Sequence, residues 1–118
     1  MYTPQVLDHF QNPRNAGDLP DADAVVELSN PACGDILRLA VKLDDGRVGA
    51  VRFRCQGCVP AVACASRLTE MMIGRDAAGL RVISRAELVD SLGGLPLGSS
   101  HAGHLAMDAL RRLLCFFE

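Results

Sequence analysis

Among the residues of metal-binding types in this 118-residue chain, four sit where a fold can bring them together. Cys33 and Asp35 flank Gly34 in the segment Pro31-Ala32-Cys33-Gly34-Asp35, which reads as a tight, exposed loop entering a strand. Cys58 follows a strand and opens a helix. A thiol at a helix N-terminus feels the positive end of the helix dipole, which favours thiolate. His101 falls in the first turn of a last helix, after a glycine-rich loop. If these segments converge, they supply two thiolates, a carboxylate and an imidazole. Four such ligands can close a tetrahedral zinc site. They can also hold a small iron–sulfur cluster, in which other ligands replace some cysteines. Taken singly, each has a plainer reading: Cys33 as a small buried residue, Asp35 as a turn residue, His101 as a helix-start residue. The set is stronger than its members because each lies at an element end, where loops carry function.

The remaining candidates weigh less. Cys55-Gln56-Gly57-Cys58 is a C-x-x-C, the spacing of half a zinc knuckle or a redox pair, but no second C-x-x-C follows, which excludes a four-cysteine ribbon. Strand alternation sets Cys55 on the face of Val51 and Phe53, which points to core packing. Cys64, between Ala63 and Ala65, reads as core, and Cys115 beside Phe116 and Phe117 as part of an apolar seam. His104 lies one turn beyond His101 and is either a spare ligand or a half-exposed histidine. His9 has no cysteine near it in sequence and reads as structural. No G-x-S-x-G, H-E-x-x-H or phosphate loop is present.

The elements that position these residues can be read from spacing. Residues 3–12 form a short helix, with Thr3-Pro4 as cap and first turn and with Val6, Leu7 and Phe10 at helical spacing. Pro13 stops it. Three strands follow: 25–28, then 36–43, then 48–54, the last two joined by a hairpin at Asp44-Asp45-Gly46. A helix over 59–73 ends at Gly74. Ser84-Arg85-Ala86-Glu87 has capping-box spacing and opens a helix to about Leu92. Ser99 or Ser100 caps the last helix, which runs to about Phe117 with Leu105, Ala106, Ala109, Leu110, Leu113 and Leu114 as its apolar stripe. The order predicts an α+β fold: a small antiparallel three-stranded sheet with helices packed on one face.

Composition narrows the function. The length suits a single domain over 1–118 with a real core. Four Phe, one Tyr and no Trp give no base-stacking surface, and a net charge of −2 does not suit phosphate-backbone binding, so no nucleic-acid partner is expected. No run approaches the roughly 18 apolar residues of a membrane span. The N-terminus has no basic-then-apolar signal pattern, so a cytoplasmic location is expected, in which five cysteines are thiols or metal ligands rather than disulfides.

These motifs resemble a known family. Asp8-His9-Phe10-Gln11-Asn12-Pro13-Arg14-Asn15-Ala16-Gly17 is similar to the D-H-[YF]-x-N-P-R-N-x-G signature of the U-type iron–sulfur cluster assembly scaffolds, which include the Isc scaffolds and the N-terminal domain of the nitrogen-fixation scaffold. Pro31-Ala32-Cys33-Gly34-Asp35 matches their first ligand loop. Gly57-Cys58 with Thr69-Glu70 matches the second cysteine segment. Leu95-Pro96, His101 and Asp108-Ala109 match the third. The resemblance implies a scaffold rather than an enzyme. It implies a [2Fe–2S] cluster or iron held by Cys33, Asp35, Cys58 and His101, with zinc in the isolated protein. It also implies a cysteine desulfurase and apo iron–sulfur proteins as partners. Asp35, as an oxygen ligand, would suit cluster transfer rather than storage. Two departures stand out. Ala102 occupies the place of the family's third cysteine, a principal sulfur acceptor. Leu97-Gly98-Ser99 replaces the Pro-Val-Lys run that a dedicated chaperone recognises. A divergent zinc-binding paralogue, acting as a sulfur-relay or regulatory module, is the alternative that these departures leave open.

Overall fold

The structure is a computed structural model that describes residues 2–30, 34–96 and 98–117. Cys33 and its neighbours Pro31 and Ala32 lie outside the described residues, as does Leu97.

The chain begins with α1 (Pro4–Gln11). The Thr3 hydroxyl accepts the Val6 N–H at 3.1 Å, and Pro4 occupies the first turn. Three antiparallel strands follow in sequential order: β1 (Ala24–Asn30), β2 (Asp35–Asp44) and β3 (Arg47–Gln56). Positive φ at Asp45 (53°) and Gly46 (79°) closes the β2–β3 hairpin, as the Asp-Gly signal predicts. Leu37, Leu39 and Val41 point inward with Val51 and Phe53, whereas Arg38, Lys42 and Arg54 face solvent. The segment around Asn15–Gly17 runs along the free edge of β3. Gly17 N–H donates to the Phe53 carbonyl at 2.9 Å, and Phe53 N–H to the Asn15 carbonyl at 2.9 Å. These two bonds cover that edge at Phe53.

The helices α2 (Val59–Met72), α3 (Ala77–Arg81), α4 (Arg85–Ser91) and α5 (Ser100–Leu114) follow. α2 and α5 cover the inner face of the sheet and the short α3 and α4 pack on these helices, so the fold is the expected α+β arrangement with helices on one sheet face. Leu68 and Met72 of α2 and Leu110 and Leu113 of α5 are fully buried against the sheet residues. Gly74, at φ 84°, ends α2 after Ile73, and the Ser84–Glu87 capping box opens α4 with both reciprocal bonds made.

Several expectations need correction. α3 is an additional helix that the spacing does not predict. Its five residues are too few to show a period, and its signal is Asp76, whose carboxylate accepts the Gly79 N–H at 2.8 Å. β1 extends to Asn30, because Ser29 and Asn30 pair with Ile36 and Asp35. Ser99 takes the N-cap position of α5 without a side-chain cap bond. α5 ends at Leu114, a 3₁₀ turn follows, and Cys115 is exposed rather than part of an apolar seam.

α1 buries Val6 and His9, leaving Leu7 and Phe10 exposed. The histidine goes inside because both of its ring nitrogens have partners. Nδ1 lies 2.7 Å from the Ser66 hydroxyl and Nε2 lies 3.3 Å from Glu70. Burial, reinforced by the Arg14 charge, holds His9 below its ordinary 6.5, against the pull of Glu70. The unfolded chain therefore takes up the proton more readily. The sign follows: stability is full above pH 6.5 and is lost as the pH falls from there towards the folded-state value. Urea unfolding at pH 7.5 and 5.5 should show that loss, and His9→Gln should shrink the difference between the two pH values. An unchanged difference would assign the loss to other groups.

Candidate metal centre

Asp35 is the first residue of β2 and pairs with Asn30. It belongs to the inward-facing set with Leu37 and Leu39, and it is 2 % exposed. The sequence placed it in an exposed turn; the structure buries it. A buried carboxylate needs partners. One is the end of α2. Cys58 is the N-cap residue of that helix, and its own side chain makes no cap bond. Instead Asp35 Oδ1 accepts the Cys58 N–H at 3.2 Å, so the strand caps the helix.

This arrangement needs Gly57. A Cβ there would lie 2.4 Å from Asp35 Oδ1 and 2.7 Å from its carboxyl carbon. Gly57 does not have positive φ. Its requirement is for space, which no turn signal in the sequence reveals.

The other carboxylate oxygen, Oδ2, turns towards two side chains. It lies 3.6 Å from Cys58 Sγ and 3.5 Å from His101 Nε2. The third edge, Cys58 Sγ to His101 Nε2, is 3.6 Å. Three ligand atoms bound tetrahedrally at 2.0–2.3 Å stand about 3.3–3.8 Å apart. The triangle of Asp35, Cys58 and His101 therefore has the dimensions of one face of a tetrahedral metal site. Among the described residues this is the group of three or more ligating side chains close enough to share an ion. Cys33, two residues before Asp35, lies outside the described residues.

The electrostatics correct one expectation. The Ala61 and Cys58 backbone N–H groups at the helix end do act to lower the Cys58 pKa. Burial outweighs them and, with the Asp35 charge beside it, holds the Cys58 thiol above its ordinary 9.0. A metal ion must therefore displace a proton from this sulfur, which makes affinity pH-dependent. Below the thiol's pKa, each released proton tightens binding about tenfold per pH unit. Zinc affinity measured by competition at pH 6.5 and 7.5 should rise at least that much in the wild-type chain. Cys58→Ser should remove one tenfold step.

The other cysteines stand apart from this triangle. Burial pushes Cys55 up to about 12, with the Asp35 and Cys58 charges adding to it, and pushes Cys64 up to about 12 as well. Both pack on the core, as alternation and helix position predict. Ala102 is 1 % exposed and is also a core residue. His104 is exposed on α5 and borders the same groove as His101. Larger hollows, of about 590 Å³ between α2 and α4 and about 430 Å³ on the outer sheet face, are lined by none of the three ligating residues.

Comparison with known proteins places the chain in a family. Residues 1–118 match the NifU-like N terminal domain family. The chain is 43 % identical over 114 residues to the iron-sulfur cluster assembly scaffold protein IscU 1 of Archaeoglobus fulgidus, covering 97 % of this chain and 74 % of that protein. It is 33 % identical over 121 residues to the IscU scaffold protein of Haemophilus influenzae, covering 99 % of this chain and 95 % of that one. The crystal structure of a nitrogen-fixing NifU-like N-terminal protein from Brucella abortus has the same fold. Its TM-score is 0.78 at 20 % identity, over 98 % of this chain and 92 % of that one. Motifs, fold and sequence similarity agree: the chain belongs to the NifU-like N-terminal domain family.

Proposed function

We propose that this chain, acting as one domain, is an iron–sulfur cluster assembly scaffold. It binds iron and a transient [2Fe–2S]-type cluster, then transfers the cluster to apoproteins. The observation that carries the reading is the triangle of Asp35 Oδ2, Cys58 Sγ and His101 Nε2, whose 3.5–3.6 Å edges match a tetrahedral face around a single iron ion; a [2Fe–2S] cluster would divide the four ligands two to each iron. The triangle occurs in a chain whose relatives are named as cluster assembly scaffolds.

Cys33 supplies the fourth ligand. Cys33 and Cys58 bind iron as thiolates, His101 binds as a neutral imidazole, and Asp35 binds through Oδ2 alone because Oδ1 is engaged by Cys58 N–H. A single carboxylate oxygen is a hard, exchangeable ligand for a cluster held otherwise by soft thiolates. That suits a protein that must release its cargo. Sulfur arrives as sulfide or on Cys33 or Cys58, since position 102 is alanine. The partners are a cysteine desulfurase and apo iron–sulfur proteins, in a cytoplasmic setting. Among the described residues no helix is long and apolar enough to cross a membrane. The scaffold names of the relatives do not favour the zinc-dependent regulatory reading. Zinc fits the triangle as a stand-in in the isolated protein.

The test is anaerobic reconstitution with ferrous iron, sulfide and a thiol reductant. Visible cluster absorption should develop with iron and acid-labile sulfide in equal amounts, and Cys58→Ser should abolish it. Bound zinc with no cluster absorption under any loading condition would overturn the reading.

A further inference from the structure

The face of α5 that carries His101 carries two more ligating side chains. His104 lies three residues on and Asp108 four beyond that, so the three side chains rise along one side of the helix. Together with Ser29, Asn30 and Leu105 they line a groove of about 300 Å³ between α5 and the end of β1. Asn30 is the strand partner of Asp35, which places the groove against the metal centre. His104 is exposed, and the Asp108 side chain is 61 % exposed. Asp108 meets Arg111 at 3.3 Å, a solvent-exposed pair of the weak kind.

His104 does not belong to the set of atoms that can share an ion with Asp35, Cys58 and His101. It is therefore not a direct replacement for the family's third cysteine. We propose that His104 and Asp108 form a separate loading site for ferrous iron, from which the ion passes to the Asp35–Cys58–His101 centre. The proposal rests on the scaffold reading above and adds to it the route by which iron enters.

Three features support it. The ligand pair is one imidazole and one carboxylate, with no thiolate, a set that suits ferrous iron and binds too weakly to trap it. The two residues are four apart on a helix, so both can approach one ion without moving the backbone. His101 borders both the groove and the centre, so an ion can exchange ligands from His104 to His101 without leaving the protein. No electron moves in this step. Iron stays ferrous, and the proton displaced from Cys58 leaves to solvent when the ion reaches the sulfur.

Cobalt(II) added anaerobically separates the two sites. At the thiolate centre it gives a sulfur-to-cobalt charge-transfer band; at His104 and Asp108 it gives none. In the Cys33→Ser, Cys58→Ser, Asp35→Asn background the charge-transfer band should vanish. A weaker cobalt site should persist by calorimetry, and adding His104→Gln should weaken it on the order of tenfold. In the otherwise wild-type chain, His104→Gln should slow the appearance of the charge-transfer band in stopped flow, and Asp108→Asn should do the same. Residual binding untouched by His104→Gln, or loading rates equal to wild type in both variants, would overturn the proposal. Absence of a charge-transfer band in the wild-type chain would instead count against the centre itself, while the calorimetric comparison still decides the loading site.

Discussion

Gly57→Ala should lose the metal centre and about 3 kcal/mol of stability together. The added methyl carbon would sit 2.4 Å from Asp35 Oδ1, a separation that real Cβ contacts do not reach, so one of the two must move. Asp35 cannot move freely. It is 2 % exposed, fixed by strand pairing with Asn30, and bonded to the Cys58 N–H. Overpacking of this kind costs about 1–3 kcal/mol. Pulling the carboxylate off the Cys58 N–H adds part of a charge-assisted bond, worth about 1.5–3 kcal/mol. For a chain of this length the sum lowers Tm by roughly 10 °C.

The metal result separates this mechanism from general destabilisation. The Asp35 side chain holds the triangle's shape: Oδ1 seats the helix end that carries Cys58, and Oδ2 completes the face with Cys58 Sγ and His101 Nε2. Displacing it by even 1 Å breaks two edges at once. Zinc binding should therefore fail in Gly57→Ala at temperatures where circular dichroism still reports a folded chain. A comparably destabilising substitution away from the centre, such as Leu88→Ala in α4, should leave zinc affinity intact. Equal affinity in Gly57→Ala and wild type would show that the Asp35 seat tolerates the methyl group.

What the sequence made legible follows from the range of each signal. The Asp45-Gly46 hairpin and the Ser84–Glu87 capping box are decided by residues three or four apart, and both form as read. The approach of Asp35, Cys58 and His101 is a long-range fact, but each residue sits at the end of an element, and such ends meet along the same rim of a sheet with helices on one face. Finer features escaped because their causes lie elsewhere in the chain. His9 faces inward because Ser66 and Glu70 of α2 satisfy its ring, which no pattern within α1 reveals. Asp35 is buried because the end of a helix 23 residues away needs a cap. The Cys58 thiol sits above its ordinary pKa because burial outweighs the helix end, and burial is not written in a helix position. Gly57 precedes a helix, and its role depends on a carboxylate from β2.

Asp35→Asn should separate the two duties that this carboxylate performs. The amide oxygen of asparagine can keep the Cys58 N–H bond now made by Oδ1 at 3.2 Å. The amide nitrogen then stands where Oδ2 stood, 3.6 Å from Cys58 Sγ and 3.5 Å from His101 Nε2. It is a donor without charge, and it cannot ligate a metal ion. Metal-free stability should stay within about 1 kcal/mol of wild type, because the cap survives and no buried charge remains. Affinity for zinc or ferrous iron should fall at least about 100-fold, beyond what loss of a supporting residue around a metal costs. Asp35→Ala should lose the same affinity and, in addition, about 1–3 kcal/mol of stability, since it leaves the Cys58 N–H at the buried helix end without its partner. Zinc competition and urea unfolding on the two variants give four numbers, and the pattern among them is the test. If Asn retains metal affinity within twofold, Asp35 caps the helix and does not ligate. If Asn and Ala are equally destabilised, the capping role assigned to Oδ1 fails. The expected result, affinity lost in both and stability lost in one, requires one carboxylate whose two oxygens do different work.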